Sequence, residues 1–135
     1  MVPLGKKEQR VLVVEDEAVI GRVCSKVLSD HGFTVDVVPD GQKVVDKLRK
    51  RRYYDVCVLD LRMPGVDGFR LYEYITNNYP RLSRSVVFMT GDFTNSHVSK
   101  FLNDSGRVCL LKPFTPQELL AAVKIATKKE PLECS

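Results

Sequence analysis

The sequence predicts an α/β fold, a five-stranded parallel sheet doubly wound by helices on both of its faces. Short runs of branched apolar residues, which are typical of strands buried on both faces, recur along the chain as VLVV, VCVL, VVFM and VCLL. Segments whose apolar residues repeat at helical spacing lie between these runs. Strands that alternate with helices of this length imply right-handed βαβ units and a parallel sheet.

The first two strand–helix units occupy residues 10 to about 51. We predict the first strand at residues 10 to 14 and a helix after it that ends at residues 30 to 32, where Gly32 supplies the left-handed residue common beyond a helix C-terminus. The second strand is predicted at residues 34 to 38, and the second helix from Gly41 to about residue 51.

Two further units follow, and the second of them has a weak helix. The third strand is predicted at residues 55 to 59, followed by the loop LRMPGVDG and by a helix at residues 69 to about 78 that Pro80 ends. The fourth strand is predicted at residues 85 to 89. The helix after it has poor helix formers and a thin apolar stripe, made of Val98, Phe101 and Leu102.

The fifth unit carries a clear helix start signal. Its strand is predicted at residues 108 to 111, and Pro116 takes a first-turn position behind a Thr115 N-cap. For five such units the natural solution is the flavodoxin-like (βα)5 strand order 2-1-3-4-5. We expect residues 1–9 to be an N-terminal extension, residues 10–128 to be the single folded domain, and residues 129–135 to be an unstructured tail.

Composition and charge exclude several classes of function. The net charge of +4 comes partly from KLRKRR, but this cluster lies near the end of a predicted helix, where cations complement the helix dipole. Apart from the adjacent Tyr53-Tyr54, no aromatic residues alternate with the basic ones, so we do not expect direct nucleic-acid binding. No run of about 18 apolar residues is present, so neither a membrane span nor membrane contact by this domain is expected.

The cysteines indicate a reducing compartment. The chain has four of them at irregular spacing and without a CxxC pair, which disfavours a disulfide framework or a zinc site. The N-terminus also lacks the apolar core and cleavage site of a secretory signal. A cytoplasmic location is therefore expected.

Polar side chains follow four of the predicted strands. Asp16, preceded by Glu15, comes directly after the first strand, and Asp60, Thr90 and Lys112 follow the third, fourth and fifth. Because the carboxyl ends of parallel strands meet at one edge of a sheet, where ligands bind in open α/β folds, these groups are expected to converge. Carboxylates, a hydroxyl and an ammonium together indicate phosphoryl-transfer chemistry.

The motif set resembles that of two-component receiver domains, the phosphoacceptor modules of response regulators and hybrid sensor kinases. The resemblance covers residues 10 to about 127 and rests on the acidic pair, on DLRMPG, on Thr90 and on KPF. The intervals also agree, with 44 residues from Asp16 to Asp60, 30 from there to Thr90 and 22 from there to Lys112.

The resemblance implies a nucleophile and a metal site. Asp60 would accept the phosphoryl group as an aspartyl phosphate. Mg²⁺, which prefers oxygen ligands and keeps several waters, would be held by the carboxylates of Asp16 and Asp60 and by the backbone carbonyl of Arg62. Glu15 would act through a bound water.

The resemblance also assigns the residues that hold the phosphoryl oxygens. Lys112 would pair first with Asp60 and then with a phosphoryl oxygen, and Thr90 would donate its hydroxyl to another one. The Lys112–Pro113 peptide bond would be cis.

The implied function is a signalling switch, phosphorylated on Asp60 in a Mg²⁺-dependent reaction by a sensor histidine kinase or a phosphotransfer protein. Such a domain catalyses only its own phosphorylation and dephosphorylation and is not a turnover enzyme. It could belong to a hybrid histidine kinase, to a regulator with an output domain, or to a stand-alone regulator, and could form a homodimer through its fourth helix, fifth strand and fifth helix.

A degenerate, purely protein-binding receiver and an Asp-nucleophile phosphatase are the alternatives; Arg62 stands where the phosphatases usually have a second Asp.

Two positions depart from the family pattern. Cys109 stands where receivers commonly carry Tyr or Phe, so we expect any output to run through the fourth helix and the loop before it without rotation of a ring; an aromatic ring from elsewhere at this place would contradict that expectation. Arg62 and Asp92 flank the expected mouth of the site, and a contact between them could hinder the water that hydrolyses the acyl phosphate. The other interpretation is that Arg62 simply points into solvent.

Overall fold

The computed structural model describes residues 8–50, 53–63, 66–92 and 94–127. Strands and helices alternate as the sequence predicts, and in chain order the elements are β1 (Arg10–Val14), α1 (Ala18–Asp30), β2 (Thr34–Val38), α2 (Gly41–Lys50), β3 (Val56–Asp60), β4 (Arg62–Met63), β5 (Val66–Asp67), α3 (Gly68–Asn78), α4 (Pro80–Ser83), β6 (Val86–Thr90), α5 (Ser96–Ser105), β7 (Val108–Leu111) and α6 (Pro116–Thr127).

Five strands form one sheet in the order β2-β1-β3-β6-β7, and each neighbouring pair is parallel. This confirms the predicted order 2-1-3-4-5, since β6 and β7 are the fourth and fifth predicted strands. The register pairs Asp60 with Met89 and Thr90 with Leu111, which brings the carboxyl ends of β3, β6 and β7 to the same edge of the sheet.

The core consists of two apolar layers, one on each face of the sheet. Successive side chains of a strand point to opposite faces, so Val11 and Val13 contribute to one layer while Leu12 and Val14 contribute to the other. The first layer includes buried residues of α1 and α6, among them Leu28 and Leu119, Ala122, Val123 and Ala126, and the second includes residues of α2, α3 and α5. Both faces of the sheet are covered, as the apolar strand runs predicted.

Some boundaries differ from the prediction. β3 and β6 each extend one residue further, so Asp60 and Thr90 are the last residues of their strands and are themselves buried. Pro80 does not simply end a helix but begins the four-residue helix α4, since proline fits the first helical turn. The predicted loop after β3 contains a two-residue antiparallel ladder, β4 with β5. The end of the second helix at residue 51 and the tail at residues 129–135 lie outside the described residues.

The helix ends follow the predicted capping signals. Gly32 has a φ of +91°, beyond the end of α1. Thr115 accepts a hydrogen bond from the Glu118 N–H at 3.0 Å and donates its own N–H to the Glu118 carboxylate at 2.8 Å, which forms a capping box at the start of α6. None of the helices in the described part of the chain is long and apolar enough to cross a membrane.

Candidate functional site

The predicted polar residues meet at the carboxyl edge of the sheet. The Lys112 Nζ atom lies 2.8 Å from Asp60 Oδ2 and 2.8 Å from Glu15 Oε1. Asp60 is 3% exposed and Glu15 is 2% exposed, so a largely buried ammonium lies between two buried carboxylates. The Lys112–Pro113 peptide bond is cis, as the resemblance implied.

Backbone hydrogen bonds fix the positions of these side chains. The Leu61 N–H donates to the Met89 carbonyl at 3.0 Å, and the Lys112 N–H donates to the Thr90 carbonyl at 2.7 Å, so strand pairing continues past the ends of β3 and β7. The Arg62 N–H donates to Asp60 Oδ1 at 3.0 Å. One carboxylate oxygen of Asp60 is therefore held by backbone and the other by Lys112.

Thr90 lies at the same edge but makes local contacts. Its side chain is buried, and its hydroxyl donates to the Asp92 carbonyl at 3.4 Å and accepts the Asp92 N–H at 3.3 Å. In the described residues its hydrogen bonds go to this backbone rather than to Asp60 or Lys112. The hydroxyl is thus within the site, with long hydrogen bonds that a closer acceptor could replace.

Three carboxylates form a cluster suited to a cation. One carboxylate oxygen each of Glu15, Asp16 and Asp60 lies within 4.8 Å of the others. Glu15 Oε1 is buried and lacks an aligned hydrogen-bond donor, because the ammonium at 2.8 Å is within ion-pair distance but poorly oriented for a hydrogen bond. A buried oxygen without a donor together with an oxygen-only donor set fits a hard cation such as Mg²⁺ or the water bound to it.

Burial and charge shift the acid–base properties of this group. Burial raises the pKa of Glu15; the adjacent Lys112 ammonium opposes this rise, and the charge of Asp60 adds to it. Burial by itself lowers the pKa of Lys112, but the hydrogen bond to Asp60 and the adjacent Glu15 carboxylate outweigh burial, and the net pKa is raised. The lysine is therefore firmly cationic, whereas ionised Glu15 carries a desolvation cost.

The contact between Arg62 and Asp92 is electrostatic rather than direct. The Arg62 side chain is exposed, and among the ion pairs of the described residues none joins it to Asp92. The Asp92 carboxylate accepts the Thr94 N–H at 2.7 Å, and the pKa of Asp92 is lowered first by hydrogen bonds from Thr94 and then by the Arg62 charge. Arg62 thus lies near the mouth of the site, as expected, but without a clamp on Asp92.

Cys109 packs against the apolar layer that contains several aromatic rings. Phe88, its register partner on β6, contacts Phe101 of α5 in an edge-to-face arrangement with centroids 5.2 Å apart. Cys109 and Phe101 pack against the same apolar layer. Rings of α5 and β6 thus belong to the apolar layer against which Cys109 packs, and an output without rotation of a ring stays a prediction.

Glu17 is a site residue that the sequence analysis missed. Its carboxylate Oε1 lies 3.8 Å from Lys112 Nζ, and its N–H donates to Glu15 Oε2 at 3.1 Å. It directly follows the acidic pair in sequence, and this third consecutive acidic residue could have indicated a further member of the site. Its approach to Lys112, 95 residues away in sequence, depends on how α1 packs on the sheet next to α6.

A groove adjoins the site at this point. It has a volume of about 380 Å³ and is mostly apolar. The lining residues come from the start of α1 and from the segment after β7, and they are Glu17, Val19, Ile20, Val23, Lys112, Pro113 and Phe114. Val19 and Val23 are 64% and 44% exposed, so the groove presents apolar surface to solvent directly beside Lys112.

Comparisons with known proteins point to one family. Residues 11–124 match the profile of the response regulator receiver domain. The chain is 36% identical over 117 residues to the transcription factor SKN7 of Saccharomyces cerevisiae, covering 84% of the chain and 18% of that protein. It is 31% identical over 123 residues to the transcriptional regulatory protein TcrA of Mycobacterium tuberculosis, covering 91% of the chain and 47% of that protein.

Solved structures agree with these relatives. The chemotaxis response regulator CheY4 of Vibrio cholerae superposes with a TM-score of 0.77 at 26% identity, covering 89% of the chain and 99% of that structure. The signal receiver domain of an HD domain-containing protein from Pseudomonas fluorescens gives a TM-score of 0.80 at 26% identity, with 94% and 92% coverage. The chain thus spans nearly all of single-domain structures but less than half of the two curated relatives.

Proposed function

Because this chain belongs to the response regulator receiver domain family, we propose that it is a phosphoacceptor switch that is phosphorylated on Asp60 in a Mg²⁺-dependent reaction. The observation that carries the proposal is the buried Asp60 carboxylate, held at 2.8 Å by Lys112 beside two further carboxylates. Receiver domains are signalling switches, and residues 10–128 are proposed to be the whole of this one. If the domain belongs to a longer protein, we propose that it acts there as the phosphorylated switch.

The phosphoryl transfer uses Asp60 as nucleophile. An oxygen of its carboxylate forms a bond to phosphorus as the bond from phosphorus to the donor nitrogen breaks, and the electron pair of that bond stays on the nitrogen. Lys112 moves from Asp60 to a phosphoryl oxygen, and the Thr90 hydroxyl leaves the Asp92 backbone to donate to another. Lys112 thereby exchanges a carboxylate oxygen for a phosphoryl oxygen, and Thr90 exchanges a backbone carbonyl for one. The phosphoryl group carries more negative charge than either acceptor, so both exchanges favour the phosphorylated state.

The metal requirement follows from the charge of the reacting groups. A divalent cation held by these residues would neutralise charge on the phosphoryl oxygens during transfer. Asp16 and Asp60 are proposed as carboxylate ligands, the Arg62 backbone carbonyl as a third ligand, and Glu15 as a group that binds a metal-bound water. The buried Glu15 Oε1 atom, which has an ion pair with Lys112 but no hydrogen bond, supports this assignment.

The proposed donor is a phosphohistidine on a sensor histidine kinase or a phosphotransfer protein. Asp60 lies at the floor of the site, so a donor side chain has to reach inward from a protein surface that covers the mouth. The exposed apolar groove beside Lys112 supports a protein donor, because a protein bound next to the site could bury this apolar surface in its interface. A cytoplasmic location is part of the same proposal, as is the absence of direct nucleic-acid binding and of membrane contact by this domain.

Dimerisation stays a prediction. The face made by α5, β7 and α6 carries exposed apolar side chains, among them Leu111 at 45% and Ile125 at 59% exposure. These two residues support a homodimer interface there.

The alternative functions are less well supported. A purely protein-binding receiver does not need Asp60, Thr90 and Lys112 to converge, as they do here. A phosphatase with an Asp nucleophile needs a second carboxylic acid two residues later, and that position holds the exposed Arg62.

The test is the intact mass of the protein after incubation with acetyl phosphate, with and without Mg²⁺. We expect wild type to gain one phosphoryl group only with Mg²⁺, Asp60→Asn to gain none, and the matched control Asp46→Asn, at an exposed position of α2, to behave as wild type. Equal gain by Asp60→Asn would contradict the assignment. If wild type gains nothing and beryllofluoride with Mg²⁺ also fails to bind, the protein-binding alternative is favoured.

A further inference from the structure

Glu17 lies at the mouth of the site, and its carboxylate does not cap the helix that it precedes. It is the N-cap residue of α1, yet its side chain makes no capping hydrogen bond. The side chain is 63% exposed, and its nearest charged contact is Lys112 Nζ at 3.8 Å. Lys112 Nζ is in turn 2.8 Å from Asp60 Oδ2, so one ammonium separates this exposed carboxylate from the proposed nucleophile.

Glu17 also differs from the other carboxylates in what surrounds it. Glu15, Asp16 and Asp60 make up the cluster suited to a cation, and Glu17 is not a member of it. It belongs instead to the groove, where it and Lys112 are the charged lining residues and the other five are apolar. A cation held by the cluster would therefore leave the Glu17 charge facing the groove.

The direction of transfer places the leaving group near this carboxylate. In phosphoryl transfer the attacking and leaving atoms are roughly in line with phosphorus. Because Asp60 lies at the floor of the site, the leaving group projects outward, toward the mouth where Glu17 and the apolar groove wall lie. A flat ring with an N–H suits such a place, since the wall can pack against the ring and the carboxylate can accept the N–H.

We propose that Glu17 and the adjoining groove form a subsite for the donor's leaving group, and that the Glu17 carboxylate selects donors that carry phosphorus on a protonated nitrogen over acyl phosphates. This inference rests on the proposed phosphorylation of Asp60 and names the donor class that the site prefers. For a protonated phosphoimidazole, the Asp60 oxygen bonds to phosphorus, the P–N bond breaks with its electron pair going to nitrogen, and neutral imidazole leaves. An acyl phosphate releases a carboxylate instead, which Glu17 repels.

The test compares two small donors on the intact chain, phosphoramidate with its P–N bond and acetyl phosphate with its acyl P–O bond. Initial rates of phosphoryl gain are measured by mass at fixed Mg²⁺ and low salt. We expect Glu17→Gln to lower the ratio of the phosphoramidate rate to the acetyl phosphate rate by about two- to fivefold, the size expected for one exposed charge pair. Glu17→Asp keeps the charge and is expected to retain most of the ratio.

A matched control separates a local effect from the net charge of the protein. Glu73→Gln removes the same charge from an exposed position on α3, and it should leave the ratio unchanged. The Glu17→Gln effect should also shrink at about 1 M salt, where screening is strong. An unchanged ratio in Glu17→Gln, or the same change in Glu73→Gln, would overturn the subsite while leaving the phosphoacceptor function intact. Wild type that accepts a phosphoryl group from neither donor would instead count against the function itself.

Discussion

At the scale of single residues, Lys112 holds the charges of the site in balance. Its ammonium lies 2.8 Å from oxygens of two buried carboxylates, and its pKa is raised because the interactions with these carboxylates outweigh burial. Leaving buried carboxylates without a cation is costly, so either Lys112 or a metal has to be close to them.

Arg62 is predicted to slow hydrolysis of the aspartyl phosphate. Its backbone N–H is bound to Asp60 while its exposed guanidinium lies near enough to Asp92 to lower the pKa of that carboxyl. We expect Arg62→Ala to dephosphorylate about two- to fivefold faster, because water meets less hindrance at the mouth; the range is that of one exposed charge interaction. Loss of phosphoryl label after donor removal measures the rate.

The control for this prediction is Arg49→Ala, which removes an exposed arginine near the end of α2. It should dephosphorylate at the wild-type rate. If Arg62→Ala also keeps that rate, Arg62 simply points into solvent.

Gly68 is predicted to be intolerant of any side chain. A Cβ added there would lie 2.7 Å from the Leu61 Cα and 2.8 Å from the Leu61 carbonyl oxygen, so α3 begins in direct backbone contact with the residue after Asp60. We expect Gly68→Ala to lower the free energy of unfolding by about 1–3 kcal/mol, the usual cost of overpacking. Denaturant titration measures it.

Gly91→Ala is the matched control, since a Cβ at this position meets no atom within 4 Å and its φ is not positive. It should change stability by less than about 1 kcal/mol. Equal losses in both variants would show that the contact with Leu61 is relieved by a small shift of α3.

At the scale of elements, α5 depends on few apolar contacts. Val98 is its buried residue, and the ring of Phe101 contacts Phe69, Tyr72 and Phe88 with centroids 4.6, 5.7 and 5.2 Å apart. Phe88 is on the strand that ends at Thr90, and Phe69 is on the helix that begins against Leu61. Phe101 therefore connects α5 to β6, which ends at the site, and to α3, which begins beside it.

We predict that Phe101→Ala loosens α5 more than the rest of the fold. The half-buried ring and its edge-to-face contacts should be worth about 1–3 kcal/mol, less than a fully buried phenylalanine. Hydrogen exchange at residues 96–105 should accelerate while exchange in the central strands changes much less.

Leu102→Ala is the control, because Leu102 is a half-buried neighbour on the same helix and has no ring. It should have a smaller effect on exchange in α5. If both variants loosen α5 equally, the aromatic contacts of Phe101 do not stabilise the helix more than ordinary apolar burial does.

At the scale of the whole molecule, the fold gathers acidic groups at one edge of the sheet, where a bound cation would add to stability. The raised pKa of Glu15 shows that its ionised form is disfavoured in the folded state without a metal. Because its folded pKa lies above the unfolded one, the stability that Glu15 contributes is greatest at low pH and is lost as pH rises through the folded pKa. A cation should offset that loss.

We predict that Mg²⁺ raises the melting temperature of the unphosphorylated protein. At a concentration ten times Kd, linkage gives roughly 1.4 kcal/mol, or roughly 5 °C for a domain of this size. Asp16→Asn should lose most of this shift because it removes an exposed member of the cluster. Asp46→Asn should keep the shift. A shift of equal size in Asp16→Asn would place the cation elsewhere.

Much of the fold and most of the candidate site could be predicted from the chain because their signals are local. Apolar runs and capping residues lie within a few positions of the elements they define, and parallel pairing then brings Asp60, Thr90 and Lys112 to one edge whatever the details of packing. The short helix at Pro80–Ser83 was not foreseen, since a first-turn proline and a terminating proline look alike in sequence.

The sequence by itself determined the α/β class, the strand order and the set of groups that meet at the carboxyl edge of the sheet, because periodicity and the handedness of βαβ units leave little choice. Only the tertiary structure decided that Glu17 approaches Lys112, that Phe101 contacts Phe88, and that Arg62 makes no ion pair with Asp92 in the described residues. Each of these depends on side-chain direction and on the packing of helices against the sheet. Those are set by contacts between residues far apart in the chain, which no local pattern encodes.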